Sequence, residues 1–235
     1  MFKLIVFDLD KTLADLGKGM SARNTAKLRH LEKSGARIAI CSGKPTYYLC
    51  GFMRQVGLKA PILIGENGAT IQFGVDLPPS DFYVLTKDER AKRVLKKVYD
   101  DIDATFEGKM WFQPNSVCVT PFPKTQEDFD KIQNYVDKNK DLLSCLKVYR
   151  HVDSFDFIPC GIDKEIALEY LATMLNITKE ETIAVGDGVN DYPMFRFAKL
   201  SVGVNVKDES KVNFNFKSTS DALDFLAQTL KEQTC

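Results

Sequence analysis

Two pairs of acidic residues stand where apolar segments of the sequence end. Asp8 and Asp10 close the first apolar run, and Asp187 and Asp191 follow a second run far along the chain. Each pair alone is also compatible with a plain turn, because aspartate readily forms turn hydrogen bonds. If both pairs converge, carboxylates about 5 Å apart repel by roughly 3 kcal/mol at an effective dielectric of about 20. A cation is then needed, and oxygen-only ligands select a hard ion such as Mg²⁺.

Two smaller signals accompany the acids. Ser42-Gly43-Lys44 follows another apolar run, and a hydroxyl with free backbone N–H groups at a strand-to-helix turn can hold a phosphate oxygen. The full P-loop pattern is absent, and a simple helix cap explains the segment equally well. Lys164 falls at the start of a predicted helix, where the helix dipole disfavours a cation. It is therefore either a surface lysine or a lysine that is held there for an anion.

The elements that must position these residues alternate between strands and helices. We predict strands over 3–9, 36–41, 61–64, 182–186 and 200–204, and helices over 22–33, 45–56, 163–175, 190–197 and 220–232. Continuous apolar, β-branched runs are typical of strands that are buried on both faces of a parallel sheet. The predicted fold class is therefore α/β, with a doubly wound parallel sheet whose ligands bind at the carboxyl ends of the strands.

In the middle of the chain, from Pro78-Pro79 onward, the regular alternation of strands and helices stops. We predict short strands over 82–85, 104–107, 110–113, 116–120, 145–149 and 153–158, and helices over 87–101 and 124–138. Neighbouring strands without intervening helices favour a small α+β unit with an antiparallel sheet. The predicted organisation is a core formed by 1–78 and 159–235, with residues 79–158 inserted as a second domain.

The composition excludes several classes of protein. The 235 residues include 32 Lys+Arg and 32 Asp+Glu, a balance that argues against a general nucleic-acid binder. The six cysteines and two histidines show no zinc-finger spacing, so reduced thiols are expected. No apolar run reaches the roughly 18 residues of a membrane span, and the N-terminal run lacks the form of a signal peptide. We expect a cytoplasmic protein with no membrane or nucleic-acid partner.

Taken in chain order, four segments resemble the motifs of the haloacid dehalogenase-like (HAD) hydrolase superfamily. They are Asp-x-Asp-x-Thr at 8–12, Ser-Gly at 42–43, Lys164, and Gly-Asp-Gly-Val-Asn-Asp at 186–191. Gly65-Glu-Asn-Gly-Ala69 and Phe157-Ile-Pro159 are similar to the Cof-type (class IIB) sugar-phosphatase branch. This resemblance implies a Rossmann-like HAD core with an inserted α+β cap of the C2 type.

The resemblance also implies a Mg²⁺-dependent phosphatase that works through an aspartyl-phosphate. Asp8 would be the nucleophile and a metal ligand. Asp10 would act as general acid and then general base, with its backbone carbonyl on the metal. Asp187 and Asp191 would complete the metal site, with Thr12 as support for the nucleophile loop. The residues implied for binding the phosphoryl group are Ser42, Gly43, Lys164 and Asn190.

Three functions remain open from the sequence. The first is a phosphatase for a small phosphorylated metabolite, with a sugar phosphate favoured and no substrate excluded. The second is a phosphomutase of phosphomannomutase type, and the third is an inactive sugar-phosphate-binding regulator. Asp10 favours the first two, since dehalogenases of the superfamily lack an acid there. The sequence departs from the Cof-type pattern at Lys11, where many members have glycine, and at Cys160 and Glu165 around Lys164.

Overall fold

The computed structural model describes residues 1–233 and divides into two compact units. One unit consists of Met1–Tyr83 together with the chain from Asp163 onward, and the other is Val84–Ile162. These boundaries fall a few residues after the predicted ones at 78/79 and 158/159. The reason is that the segment after the two prolines still belongs to the main sheet, where the backbone N–H of Phe73 donates to Asp81 O over 3.2 Å.

Residues 1–233 contain twelve strands and seven α-helices. The strands are β1 (Leu4–Phe7), β2 (Arg37–Cys41), β3 (Ile62–Gly65), β4 (Thr70–Phe73), β5 (Phe82–Val84), β6 (Trp111–Phe112), β7 (Pro121–Phe122), β8 (Leu146–Arg150), β9 (Phe155–Pro159), β10 (Thr182–Gly186), β11 (Leu200–Val204) and β12 (Phe214–Phe216). The helices are α1 (Ala22–Lys33), α2 (Thr46–Val56), α3 (Glu89–Thr105), α4 (Gln126–Lys138), α5 (Lys164–Leu175), α6 (Tyr192–Phe197) and α7 (Thr219–Glu232).

The first unit is built on an eight-stranded sheet in the order β12-β11-β10-β1-β2-β3-β4-β5. The six strands from β12 to β3 run parallel, and β4 is antiparallel to β3. β1 lies at the centre, and its four residues are all buried. The apolar runs of the central strands thus face helices on both sides, as in a doubly wound sheet. The predicted α/β fold class is confirmed.

The helices of this unit begin and end largely where the sequence signals them. α1 starts after Ser21, whose side chain accepts a hydrogen bond from Asn24 N over 3.2 Å. α2 ends at Gly57, which adopts a left-handed conformation with φ 76°. Pro45 was expected at the first helical position but stands one residue earlier, as the N-cap with extended backbone. Leu28, Leu49 and other apolar side chains of α1, α2 and α7 pack together on one face of the sheet.

The second unit, Val84–Ile162, has its own core between two helices and two antiparallel strand pairs, β6–β7 and β8–β9. Apolar residues of α3 such as Val98 and Ile102 pack against Phe155 and Phe157 of β9. This agrees with the α+β character expected for the inserted segment. It differs from the single sheet suggested by the sequence, since the two strand pairs are joined only by a bridge between Val119 and Phe157.

Three local predictions were wrong, and one strand was missed. The strand predicted over 104–107 is the end of α3 and the following turn, because the helix continues one turn beyond 101 and buries Ile102. The strand predicted over 116–120 is displaced to β7. β5 was assigned to the inserted domain but lies at the edge of the main sheet. β12, whose sequence alternates Phe-Asn-Phe, was not predicted.

Candidate active site

The parallel strands of the first unit bring the predicted acidic residues to one edge of the sheet. Phe7 of β1 pairs with Val185 of β10 and with Ile40 of β2, so the three strands end in register. Asp8 continues this register, because its backbone N–H donates to Val185 O over 2.9 Å. The loops after β1, β2 and β10, which carry the sequence motifs, therefore leave the sheet side by side, as ligand-binding loops do in open α/β sheets.

Lys164 forms the electrostatic centre of this edge. Its Nζ lies 2.7 Å from Asp8 Oδ1 and 2.7 Å from Asp191 Oδ1. The side chains of all three residues are almost fully buried. Lys164 is the first residue of α5, whose N-cap Asp163 accepts a hydrogen bond from Ile166 N over 3.0 Å. The unfavourable position of a lysine at a helix start is thus compensated by two buried salt bridges, and the surface-lysine interpretation is wrong.

Asp191 is held by both of its carboxylate oxygens. Oδ1 receives Lys164, while Oδ2 accepts from the backbone N–H groups of Asp187 and Gly188 at 2.9 and 3.1 Å. The carboxylate thus closes the turn that follows β10. Gly186 is required by this arrangement, because a Cβ at that position would stand 2.5 Å from Asp191 Oδ2.

Asp187 is fixed from the neighbouring loop. Thr12 Oγ1 donates to Asp187 Oδ1 over 3.3 Å. The carbonyl of Thr12 in turn accepts from Thr219 Oγ1, at the start of α7, over 2.6 Å. Thr12 is fully buried and links the loop after β1 to the loop after β10.

Burial and the mutual repulsion of the carboxylates at this edge of the sheet shift their pKa values. Burial and then the charge of Asp191 raise the pKa of Asp8 well above its usual range, although Lys164 opposes the change. Burial and Asp191 also raise the pKa of Asp187 to about 6, against the lowering effect of Lys11 and Lys164. Burial disfavours the Lys164 ammonium, but Asp191 and Asp8 outweigh burial and raise its pKa. The pocket therefore favours additional positive charge.

The donor set fits a hard divalent cation. Asp8, Asp187 and Asp191 each offer a carboxylate oxygen, and these three oxygens lie within 4.8 Å of one another. All of them are oxygen donors, as Mg²⁺ prefers. Among the described residues, the three acids are the group that could hold a metal ion. The carboxylate of Asp10 is not part of this group.

The raised pKa of Asp8 leads to a stability prediction. A carboxyl group whose pKa is higher in the folded than in the unfolded state gives stability that is lost as the pH rises through the folded value. We expect metal-free Asp8→Asn to melt about 3 °C above the unmodified protein near pH 8, because asparagine carries no charge and still accepts from Lys164. Thermal unfolding in the presence of a chelator measures this difference.

The difference in melting temperature between Asp8→Asn and the unmodified protein should change with pH. The melting difference between Asp8→Asn and the unmodified protein should shrink as the pH falls from 8 toward 5, where the folded state keeps Asp8 protonated. Asp15→Asn, an exposed change in the same loop with a side chain that is 75% accessible, serves as the control and should show no such trend. A less stable Asp8→Asn protein at pH 8 would contradict the assignment of a raised pKa.

The loop after β2 places Ser42 beside the turn at Glu66 and Asn67. Ser42 is buried, its carbonyl accepts from Asn67 N over 3.0 Å, and its Oγ accepts from Lys44 N over 3.2 Å. A Cβ at Gly43 would lie 3.3 Å from Asn67 Nδ2. Glu66 and Asn67 both have left-handed backbones, with φ 54° and 56°. The Gly65–Ala69 segment thus supports the Ser42 loop, a role that the sequence motif alone did not reveal.

The remaining predicted residues lie at the rim. Asp10 is partly exposed, and its Oδ2 lies 3.9 Å from Lys44 Nζ. Asn190 is exposed and belongs to the short turn Val189–Asp191, beside the buried Asp191. Sequence reasoning missed Lys44 as a partner of Asp10. The sequence signal for this contact is the position of Lys44 directly after Ser42-Gly43, at the same sheet edge as Asp10. The P-loop pattern had been the only role weighed for Lys44.

Comparison with known proteins matches the sequence to one family model. The model for haloacid dehalogenase-like hydrolases aligns with residues 5–113 and 79–221. The chain belongs to this family. The predicted Rossmann-like α/β fold and the assignment to the Cof-type branch of the HAD hydrolases are confirmed.

Related HAD hydrolases are named phosphatases. A phosphoglycolate phosphatase of Thermoplasma volcanium is 27% identical over 93% of this chain and 92% of its own length. A 5-amino-6-(5-phospho-D-ribitylamino)uracil phosphatase of Bacillus subtilis is 23% identical over 97% of this chain and 96% of its own. The protein is a phosphatase, a phosphoric monoester hydrolase.

Solved structures show the same fold. A haloacid dehalogenase-like hydrolase from Bacteroides thetaiotaomicron superimposes with a TM-score of 0.76 at 22% identity, and the match covers 99% of each chain. At this identity the likeness concerns the fold alone. Within residues 1–233, no helix is long and apolar enough to cross a membrane.

Proposed function

We propose that this HAD hydrolase is a Mg²⁺-dependent phosphatase that transfers the phosphoryl group of a small metabolite to Asp8 and then to water. The observation that supports this most is the position of Asp8. It is buried, it receives the ammonium of Lys164 at 2.7 Å, and it faces two further carboxylates. Such an environment holds one carboxylate oxygen in place and leaves the group as an oriented nucleophile.

The proposed first step is attack by the Asp8 carboxylate on phosphorus. Lys164 orients Asp8 and balances charge on the phosphoryl oxygens, and the backbone and hydroxyl of Ser42 hold another oxygen. Asp10 donates a proton to the ester oxygen, so the alcohol leaves as a neutral molecule. The result is an acyl-phosphate on Asp8, with Asp10 now ionised.

The proposed second step returns Asp8 to its starting state. Ionised Asp10 takes a proton from water, the water oxygen attacks phosphorus, and the bond to Asp8 breaks. Asp10 then carries the proton that the next ester needs, so the cycle balances. The partial exposure of Asp10 suits this exchange with water, whereas the buried Asp8 is protected from it.

Mg²⁺, held by Asp8, Asp187, Asp191 and the Asp10 carbonyl, would neutralise negative charge on the phosphoryl group. The residues fit the ion by their oxygen donors and by the crowding that raises the pKa of Asp8 and Asp187. The two salt bridges of Lys164 leave the cluster with more carboxylates than cations, so the chain alone does not balance the charge.

Removal of the metal should therefore lower turnover strongly. After treatment with a chelator, hydrolysis of p-nitrophenyl phosphate should fall by about 10³-fold, since several kcal/mol of charge stabilisation are lost, and Mg²⁺ should restore it. Mg²⁺ should also raise the melting temperature of the unmodified protein by binding the folded state. Asp187→Asn should lose most of that rise, and Asp208→Asn, a surface change, should keep it. Full activity in chelator would contradict the proposal.

The proposed substrate class is a small phosphorylated metabolite, with sugar phosphates included. Relatives that are named for phosphoglycolate and for a ribitylaminouracil phosphate align over nearly the whole chain at similar identity, so neither substrate is favoured by likeness alone. Release of inorganic phosphate from a panel of phosphate esters tests this class. Transfer between sugars without release would indicate a phosphomutase. The cytoplasmic location stays a prediction.

A further inference from the structure

Two cysteines face each other at one end of the β8–β9 strand pair. The two strands are antiparallel, and Leu146 pairs with Pro159 at that end. The next pair in the same register is Cys145 with Cys160, and the backbone N–H of Cys160 donates to Cys145 O over 2.8 Å. Residues that are hydrogen-bonded across an antiparallel pair have Cα atoms about 5.5 Å apart. Disulfides join Cα atoms that are roughly 4.4–6.8 Å apart, so the backbone spacing suits a crosslink.

The thiol of Cys160 is directed toward the strand that carries Cys145. Its Sγ lies 3.8 Å from Ser144 O, the carbonyl oxygen of the peptide bond between Ser144 and Cys145. Both cysteines are free thiols. A disulfide therefore requires rotation of two side chains whose backbones are already hydrogen-bonded to each other, and neither strand has to change its register.

The two thiols differ in their access to solvent. Cys160 is exposed, whereas Cys145 is buried in the core of the second unit. Cys41, Cys50 and Cys118 are also buried, so Cys160 is the exposed cysteine among residues 1–233. An exposed thiol next to a second thiol is the usual arrangement at a site of reversible oxidation, because the first thiol meets the oxidant and the second resolves the product.

The segment after Cys160 is a tight turn. Gly161 has a left-handed backbone with φ 82°, and the backbone N–H of Ile162 donates back to Pro159 O over 3.2 Å. Ile162 O in turn accepts from Lys147 Nζ, on β8, over 3.3 Å. The turn is closed by its own hydrogen bond and tied to the neighbouring strand, so its backbone follows the position of Cys160.

Lys164 comes two residues after this turn. Asp163, which lies between them, is the N-cap of α5. Lys164 Nζ lies 2.7 Å from Asp8 Oδ1 and 2.7 Å from Asp191 Oδ1. A backbone displacement at Cys160 therefore arises only four residues from the lysine that orients the proposed nucleophile. A misplacement of about 1 Å at such a group can lower a rate by about 10²-fold.

We propose that Cys145 and Cys160 are a site of reversible disulfide formation, and that the disulfide slows the phosphatase reaction. The thiolate of Cys160 attacks one sulfur of a small disulfide such as glutathione disulfide, and one glutathione leaves as its thiolate. The thiolate of Cys145 then attacks the Cys160 sulfur and releases the second glutathione. Two protein thiols are oxidised, one external disulfide is reduced, and the two protons pass through solvent to the released glutathione thiolates. Excess thiol reverses both steps.

Trypsin separates the two cysteines, which makes the crosslink measurable. Cleavage after lysine and arginine places Cys145 in the peptide 141–147 and Cys160 in the peptide 151–164. The unmodified protein is equilibrated with mixtures of reduced and oxidised glutathione, quenched with N-ethylmaleimide, digested and analysed by mass spectrometry. We expect these two peptides to be joined as the share of oxidised glutathione rises, and excess dithiothreitol to separate them. Formation of the crosslink does not depend on the proposed phosphatase function.

Serine variants identify the order of the two steps. Cys145→Ser should stop at a mixed disulfide of Cys160 with one glutathione, and Cys160→Ser should form neither product. Cys235→Ser, a change outside the described residues, is the matched control and should crosslink as the unmodified protein does. The crosslinked protein should melt about 5 °C above the reduced protein, because the disulfide closes the loop from 145 to 160 in the unfolded chain.

Turnover is the second readout, and it rests on the proposed function. Crosslinked protein should hydrolyse p-nitrophenyl phosphate about tenfold more slowly than reduced protein, through kcat, and dithiothreitol should restore the rate. Cys160→Ser should be equally active with and without oxidised glutathione. Equal rates for crosslinked and reduced protein would overturn the effect on the reaction.

The crosslink and the phosphatase function can fail separately. If Cys160 of the unmodified protein ends as a glutathione adduct or pairs with another cysteine, the proposed disulfide is wrong, whatever the activity. If the reduced protein hydrolyses no ester, the phosphatase function and the effect on turnover fail together, and the joined peptides still decide whether the disulfide forms.

Discussion

Asp8→Asn should lower phosphatase activity by about 10⁴- to 10⁶-fold, the range for loss of an enzyme's nucleophile. Asparagine is nearly the same size and still accepts the hydrogen bond from Lys164 Nζ, which lies 2.7 Å from Asp8 Oδ1. It lacks the negative oxygen that attacks phosphorus. The expected loss is therefore chemical rather than structural, and it should appear in kcat with p-nitrophenyl phosphate as substrate.

Asp15→Asn is the matched control for this variant. It makes the same chemical change in the same loop, at a side chain that is 75% accessible and forms a surface salt bridge with Lys18. It should keep full activity. Activity of Asp8→Asn within tenfold of the unmodified protein would show that another group attacks phosphorus, and the nucleophile assignment would be wrong.

Asp10→Asn should have the second largest effect, and the effect should depend on the leaving group. For an alkyl phosphate, the loss of general acid catalysis should cost about 10² to 10⁴ in rate. For p-nitrophenyl phosphate the loss in the first step should be much smaller, because p-nitrophenolate leaves without a proton. Rates of ester cleavage within the first turnover, measured side by side for the two substrates, give this comparison, because hydrolysis of the acyl-phosphate would limit the steady turnover of both.

Lys44→Met provides a contrast for Asp10→Asn. Lys44 lies 3.9 Å from Asp10 Oδ2, so its loss changes the surroundings of Asp10 while the carboxyl group stays. Its effect should depend little on the acidity of the leaving group. Equal losses for alkyl and p-nitrophenyl esters in Asp10→Asn would contradict the role of Asp10 as general acid.

The sequence predicts the parts of this site that depend on buried strands. The runs before Asp8 and Asp187 are apolar on both faces, and such segments lie at the centre of a parallel sheet. Because parallel strands point the same way, the carboxyl ends of these two strands, and the aspartates that follow them, lie at the same edge of the sheet. The unfavourable lysine at position 164 was informative for a related reason: a charge placed against a helix dipole needs partners, and the structure supplies Asp8 and Asp191.

Other features depend on contacts that a sequence pattern does not contain. Gly186 looks like any strand-end glycine until Asp191 is seen to occupy the space of its Cβ. The left-handed backbone of Lys11 cannot be read from a lysine, because only glycine and asparagine signal that conformation. The end of α3 was mistaken for a strand, since the helical spacing that buries Ile102 ends there in an aromatic residue, Phe106.

The covalent intermediate is the central claim, and one measurement tests it most directly. Asp10→Asn protein is mixed with p-nitrophenyl phosphate, quenched in acid within the first turnover, and digested for mapping of the phosphoryl group by mass spectrometry. We predict a burst of p-nitrophenol, equal to the enzyme, and a phosphoryl group on Asp8, because the variant lacks the base that activates water. A phosphoryl group on another residue, or inorganic phosphate that appears in step with p-nitrophenol from the start, would contradict the account.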